Sequence, residues 1–429
     1  MSWGAARLAR VTSVFDRLVG QQGVVDELSA AARSARAVSS DITMTEDGAV
    51  SMFGEDSGAG SVPVRSSMTH AWLFTGPPGS GRSVAAQCFA AALQCQDADE
   101  VGCGHCHACT TVMSGTHADV RRIVPDGLSI SVKLIRETVQ IASRRPATGR
   151  WQVVLIEDAD RLTEQAANAL LKVVEEPPSR TVLLLCAPSI DPEDISVTLR
   201  SRCRHVPLTM PSVAAIAQVL AADGVDPETA RWAASVCGGH VGRARRLATD
   251  ESARSQRTQA LGLARAATRE STVYGDAENL VRSAEAVAKS ISTEIDEAET
   301  ETMRTALGAG GTGKGSAGAL RGSAGVLKDL ERQQKSRRTR LQRDVLDRAL
   351  VDLAALFRDA VVAAYAAPVA AMHPDMADQT HRMAAFAPPE RLLQCVEAVL
   401  ECREVLDHNV KPKFAVDAMV AAIATALRR

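Results

Sequence analysis

The sequence predicts an α/β nucleotide-binding-type domain to about residue 209, a small all-α unit over 210–250 and a larger all-α domain over 251–429. Three observations carry this reading. Short, continuously apolar runs alternate with helical patterns in the first half, which is the mark of a parallel sheet covered on both faces. One run, Ala71-Trp72-Leu73-Phe74-Thr75, leads straight into the glycine-rich turn Gly76-Pro77-Pro78-Gly79-Ser80-Gly81-Arg82-Ser83 and then a helix. Past Met210 no convincing strand pattern is left.

Taken in order, Phe15 to Arg36 reads as a helix with its entry turn, Val19-Gly20-Gln21, and apolar Val24, Val25, Leu28 and Ala32 at helical spacing. About 38–69 is rich in Ser, Gly, Asp and Met without a period, and is expected to be a mobile, disordered insertion. Strands are predicted at Ala71 to Thr75, Asp119 to Val124, Trp151 to Ile156 and Thr181 to Cys186. Helices are predicted at Val84 to Leu93, Val132 to Ser143 and Glu164 to Glu176, the last closed by Pro177-Pro178. Three short helices follow (Val213 to Ala222, Pro227 to Cys237, Gly242 to Ala248), then longer ones that include Arg343 to Ala364, Pro389 to Leu406 and Lys413 to Leu427. The Gly-rich stretch at about 308–325 reads as a flexible linker.

Composition narrows the function classes. A chain of 429 residues should divide into two or three domains. A net charge of -2 does not point to a nucleic-acid binder, although local basic patches would still contact phosphate, and 3% aromatic residues argue against base stacking as the main device. Met1 to Arg10 has neither an apolar core nor a cleavage pattern, and no run of about 20 apolar residues appears, so a soluble, cytoplasmic protein without membrane contact is expected. Six of the ten cysteines are scattered and four are clustered, which suits a reducing compartment with one metal site better than a disulfide framework.

The cluster, Cys95-x7-Cys103-x2-Cys106-x2-Cys109, has the spacing of a tetrahedral Zn²⁺ knuckle closed by Cys95 from the preceding helix end. His105 and His107 are substitutes, but four thiolates already complete a closed, structural shell. The competing reading, free reduced cysteines on a loop, leaves this Gly/Cys/His segment with nothing to fold it.

Gly76 to Ser83 matches G-x-x-x-x-G-K-[ST] except that Arg82 replaces the lysine. Glycines let backbone N–H groups face phosphate at a helix N-terminus, and Ser83 would ligate Mg²⁺. The planar guanidinium keeps the charge but not the shape of an ammonium, so hydrolysis should suffer more than anion binding, and retention of ATP is left open. A near-match at Gly308-x4-Gly313-Lys314 follows a helical pattern rather than a strand and is treated as a decoy. The strand Trp151 to Ile156 ends in Glu157-Asp158, the usual place for a metal ligand and a water-activating base, in reversed order. A one-methylene displacement is about 1 Å and can cost on the order of a hundredfold in rate. A solvated acidic turn is the alternative. Arg202, in Ser201-Arg202-Cys203, is either an ordinary surface charge or an arginine finger for a neighbour's γ-phosphate, and spacing alone does not decide. The run Lys335, Arg337, Arg338, Arg340, Arg343 is read as a solvated helix face, with DNA contact as the minority reading.

Together, Val19-Gly20-Gln21, the loop, the four cysteines, the string Asn168-Ala169-Leu170-Leu171-Lys172-Val173-Val174-Glu175-Glu176-Pro177-Pro178 and Ser201-Arg202-Cys203 resemble the bacterial clamp-loader branch of the AAA+ family. The resemblance covers about 11–250 well, and the last helical domain only in character. It implies a RecA-like ATPase-type module with an inserted zinc module at 95–109, a helical lid and a helical collar. It further implies a hetero-pentameric ring that loads a sliding clamp onto primer-template DNA for DNA polymerase III. In such a ring gamma/tau subunits hydrolyse ATP, the delta subunit grips the clamp, and a stator subunit donates the S-R-C arginine, here Arg202, to its neighbour's ATP site. By resemblance the nucleotide site would include Val19, Gly20, Gly76, Gly79, Ser80, Gly81, Arg82, Ser83, Glu157, Asp158 and Arg243, with Cys95, Cys103, Cys106 and Cys109 on zinc.

The departures agree with one another. Arg82 replaces the lysine, Glu157-Asp158 is inverted, Leu185-Cys186-Ala187-Pro188 lacks the γ-phosphate-sensing Thr or Asn, and the lid arginine expected at Gly242 is absent, though Arg243 is adjacent. The expectation is therefore a stator with little or no ATPase of its own. A gamma/tau-type motor and a zinc-bearing DNA-binding protein on the same fold are the alternatives.

Overall fold

The computed structural model describes residues 13–41, 68–125, 127–267, 270–306, 316–408 and 410–428. Five parallel strands, β1 (Ala71–Thr75), β2 (Val120–Ile123), β3 (Gln152–Ile156), β4 (Thr181–Ala187) and β5 (Arg204–Pro207), lie in the order β2-β3-β4-β1-β5. Register is set by pairs such as Phe74 with Cys186 and Ile156 with Leu185. Because strand side chains alternate, Trp72, Phe74, Val153, Leu155, Leu184 and Val206 enter one core, against α1 (Gln22–Asp41) and α2 (Arg82–Gln94). Leu73, Val154, Ile156, Leu183 and Leu185 enter the other, against α4 (Val132–Ala142) and α5 (Glu164–Glu175). Between α2 and β2 lies α3 (His107–Ser114), and α6 (Val197–Arg200) precedes β5.

Four strands stand where the sequence places them, within a residue at each end. The fifth, β5, was not expected. Its four residues bury only Val206 fully, so the run carries neither alternation nor an apolar core. It exists because its backbone pairs with β1, from Trp72–Arg204 to Thr75–Pro207. Pro207 is tolerated because β5 is an edge strand.

The remaining helices are α7 (Val213–Ala222), α8 (Pro227–Val236), α9 (Val241–Thr249), α10 (Glu251–Ala266), α11 (Glu270–Ala306), α12 (Ser316–Ala364), α13 (Ala377–Phe386), α14 (Pro389–Asp407) and α15 (Pro412–Arg428). By internal packing the chain forms two compact units. The first is Met1–Pro125, Ser129–Ala230 and Gly239–Gly242; the second is Asp126–Leu128, Arg231–Gly238 and Arg243–Arg429. The three short helices expected over 210–250 are present, but they are shared between these units.

The insertion predicted at about 38–69 falls mainly outside the described residues, although α1 continues to Asp41. The linker predicted over 308–325 is corrected in part: α12 already begins at Ser316, where Ala317, Ala319, Leu320 and Arg321 favour helix over the scattered glycines. The Gly308 to Lys314 near-match lies outside the described residues.

The second unit has its own core, in which Leu261, Leu280, Leu350, Leu353, Phe357, Leu392, Val399, Val416 and Ile423 pack from α10, α11, α12, α14 and α15. The basic run on α12 is more than a solvated face. Arg337 bonds Glu299 and Asp296 of α11, Arg338 reaches Asp296 at 3.2 Å, and Arg343 is buried. Among the described residues no helix is long and apolar enough to cross a membrane.

Candidate functional site

The loop between β1 and α2 has the backbone of a phosphate cradle. Gly76 and Gly79 take φ of 153° and 94°, which side chains rarely adopt. A Cβ on Gly76 would stand 2.5 Å from the Leu208 carbonyl oxygen, and one on Gly79 would stand 2.7 Å from the His240 Cβ. No side chain caps α2 at Gly81, so its first-turn N–H groups are left to an anion or water. The Ser80 hydroxyl is buried and has no hydrogen-bond partner, an orphan that a bound anion would satisfy. The fold thus fits phosphate.

Of the side chains expected to do chemistry on it, Arg82, Glu157 and Arg243 are occupied elsewhere. Arg82 Nη1 donates to the Gly76 carbonyl of its own loop. Glu157 is paired with Arg122 of the neighbouring strand. Asp158 opens the 3₁₀ turn Ala159–Arg161, where burial, followed by the charge of Asp158, raises the Asp160 carboxyl above its usual range. The thiol of Cys186, within reach of Ser83, is raised by complete burial. Arg243 forms an ion pair with Asp352 inside the second unit. Val19 and Gly20 form the entry turn, Gly20 with φ of 70°.

Arg202 follows α6, which Ser196 caps. Its Nη2 lies 2.7 Å from Glu175 Oε1, and its Nη1 donates to the Thr198 carbonyl at 3.1 Å. Glu175 belongs to the Glu-Glu-Pro-Pro end of α5, so the two specific strings in the sequence meet here. The side chain stays more than a third exposed. It is oriented and still accessible.

The cysteine module is complete. Cys95 caps the C-terminus of α2, and Cys106 caps α3, its sulfur accepting the Cys109 N–H at 3.4 Å. Cys103 Sγ accepts the Cys106 N–H at 3.4 Å. Such N–H···S bonds favour the thiolate. All four sulfurs lie within 4.8 Å of one another, where a tetrahedron with Zn–S of about 2.3 Å needs about 3.8 Å. His105 and His107 are exposed, and His105 Nε2 lies 3.4 Å from Asp97, so neither is needed as a ligand. The donor set fits zinc.

Sequence reasoning missed four residues. Arg122 and Glu175 are distant in the chain from the groups they hold, so no local spacing marks them. His240 meets the loop only through the turn before α9. Gln21 was visible in Val-Gly-Gln but not as a contact: nearly buried, its Nε2 donates to Thr209 O at 2.5 Å and to Ser80 O at 3.5 Å.

Comparison with known proteins agrees with the sequence resemblance. Residues 64–212 match the family described as DNA polymerase III, delta subunit. The chain is similar to the DNA polymerase III subunit delta' of Pseudomonas aeruginosa, with 38% identity over 160 residues, 37% of this chain and 48% of that one. The subunit delta' of Bacillus subtilis shares 32% over 169 residues, 39% of this chain and 51% of the relative. The subunit tau of Bacillus subtilis shares 35% over 142 residues, 32% and 24% of the two chains. The chain spans about half the length of the delta' relatives it matches. The likeness is thus to DNA polymerase III subunits of the delta' and tau types, over 32% to 39% of this chain.

Proposed function

We propose that this chain is a delta'-type stator of the DNA polymerase III clamp loader, which organises a ring with gamma/tau and delta subunits and donates Arg202 to a neighbour's ATP site. The observation that carries the proposal is Arg202 itself, exposed yet aimed by Glu175 at 2.7 Å. A guanidinium held this way needs little reorganisation to meet a γ-phosphate, and such fingers are worth about 10³ to 10⁵ in turnover. The sliding clamp and primer-template DNA are reached through the assembled ring, in the cytoplasm with the rest of the replication machinery.

The chain's own nucleotide site is proposed as a binding relic. Gly76 to Ser83 would hold the phosphates of ATP with Mg²⁺ at Ser83, and the bound nucleotide would supply charge to order the loop. Hydrolysis is disfavoured by this chain's own groups, since Arg82 is turned onto Gly76, Glu157 onto Arg122 and Arg243 onto Asp352. Cys95, Cys103, Cys106 and Cys109 would hold Zn²⁺ in a closed thiolate shell, which supplies structure and leaves no position open for substrate.

The test is a loader reconstituted with gamma/tau and delta partners, with clamp-stimulated ATP turnover measured for Arg202→Ala in this chain alone. The expected outcome is a fall of at least about a hundredfold at the adjoining site with assembly intact. Unchanged turnover in an assembled ring removes the stator role. The likeness to subunit tau keeps a gamma/tau-type motor as the second reading; ATP turnover by the isolated chain, abolished by Asp158→Asn, would establish it.

A further inference from the structure

We propose that residues 13–36 form a strap through which the four-cysteine module fixes the phosphate loop, with Gln21 as the positioning residue at the loop end. The inference takes the four thiols as a metal site, as above, and assigns that site a consequence.

The strap grips the module at two points. At one end, Val14 N donates to Gly102 O at 2.8 Å and Ser13 Oγ to the same oxygen at 3.2 Å. Gly102 directly precedes the ligand Cys103. It takes φ of 75°, and a Cβ there would stand 2.8 Å from Val14 Cγ2, so the joint is too close for any side chain. Val14 and Phe15 share one apolar cluster with Cys95, Cys103 and Cys109, and Cys88 donates its thiol to Val14 O at 3.0 Å. At the other end, on α1, Arg36 donates to Ala98 O at 3.1 Å and Glu100 O at 3.2 Å. Both carbonyls belong to the loop between Cys95 and Cys103.

Between these points lies Gln21. Its amide donates both protons, to Ser80 O in the phosphate loop and to Thr209 O beyond β5, and its oxygen accepts Thr209 N–H at 3.4 Å. The neighbouring Leu208 O is the atom against which Gly76 packs. One side chain therefore ties the loop and the strand exit that confines Gly76 to a segment whose two ends rest on the thiolate module. Drawing four thiolates onto one ion fixes 95–109, and with it Gly102 and the Ala98–Glu100 carbonyls. When the module is released, the strap loses its anchors at both ends, and the loop loses Gln21.

The test uses the full chain, with zinc content measured per chain and amide hydrogen exchange followed by mass spectrometry. Removal of Zn²⁺ by a chelator is expected to speed exchange about tenfold or more in 13–36 and 76–83 as well as in 95–116. Gln21→Ala is expected to keep zinc and protection at 95–116 while loosening 76–83 alone. Gly102→Val keeps all four thiols and is expected to free 13–36 and 76–83. The strap is overturned if 76–83 keeps its protection in Gln21→Ala or in Gly102→Val. It is equally overturned if zinc removal loosens only 95–116. A chain that takes up no zinc defeats the metal reading instead, and the two substitutions still decide the strap.

Discussion

The cysteine module and the phosphate loop occupy the same α/β unit, and they have kept different things. In the module both geometry and chemistry are intact, with four sulfurs within 4.8 Å and two N–H···S bonds shaping the turn. In the loop the geometry is intact and the chemistry has been turned aside: the glycines hold their left-handed backbone, while Arg82 and Glu157 answer neighbours within the protein. A site that contributes stability needs every ligand, because a partial tetrahedron binds its ion poorly. On the proposed reading of the loop as a binding relic, only its backbone is needed, which also carries β1 into α2.

Several measurements would break or sharpen that contrast. The largest effect is expected for Cys106→Ala, which opens the shell and should weaken zinc at least as much as the loss of an outer-shell partner does, on the order of a hundredfold; titration against a chromogenic chelator reads it. Next, Arg82→Lys alone should leave ATP turnover of the isolated chain at background. Combined with Glu157→Asp and Asp158→Glu it should rise by up to about a hundredfold, the scale of a 1 Å correction. A rise with Arg82→Lys alone would show that the carboxylate order matters less than argued.

Asp119 offers a smaller test inside the same unit. Burial raises its carboxyl, but the N–H groups of Ala147, Thr148 and Gly149 outweigh burial and hold it below the usual range. A depressed folded value means stability that is full above the ordinary aspartate pKa of about 3.9 and is lost as pH falls through the folded value. Asp119→Asn should cost about 1–3 kcal/mol at neutral pH and flatten the acid limb of the stability profile in denaturant melts. Arg122→Ala, which frees Glu157 from a half-exposed pair, should change stability by less than about 1 kcal/mol.

The sequence made some of this legible and hid the rest for physical reasons. Strands β1, β3 and β4 are buried on both faces, so their residues had to be continuously apolar and could be read directly. The cysteines could be read because ligand spacing is local. Edge strand β5 could not, since its stability lies in hydrogen bonds to β1 and its side chains are mostly in solvent. The partners Arg122–Glu157 and Arg243–Asp352 join positions far apart in the chain, and charge pairing across elements leaves no period. The helical restart at Ser316 was hidden by glycines whose cost is spread over a long helix.

The pairing of α11 with α12 has a consequence for how this protein tolerates change in length. Their apolar cluster ends near Val287 on one helix and Val345 on the other. Farther out the buried residues are Ser292, Asp296 and Gln334, with half-buried Arg337 bonded to Glu299 at 2.9 Å and Gln334 to Asp296 O at 3.0 Å. Among the described residues no buried apolar side chain lies between Ala288 and Val345, so whole turns removed from both helices there should expose no apolar core. A label attached at an exposed position there, such as Val326, would likewise leave the inner apolar cluster undisturbed.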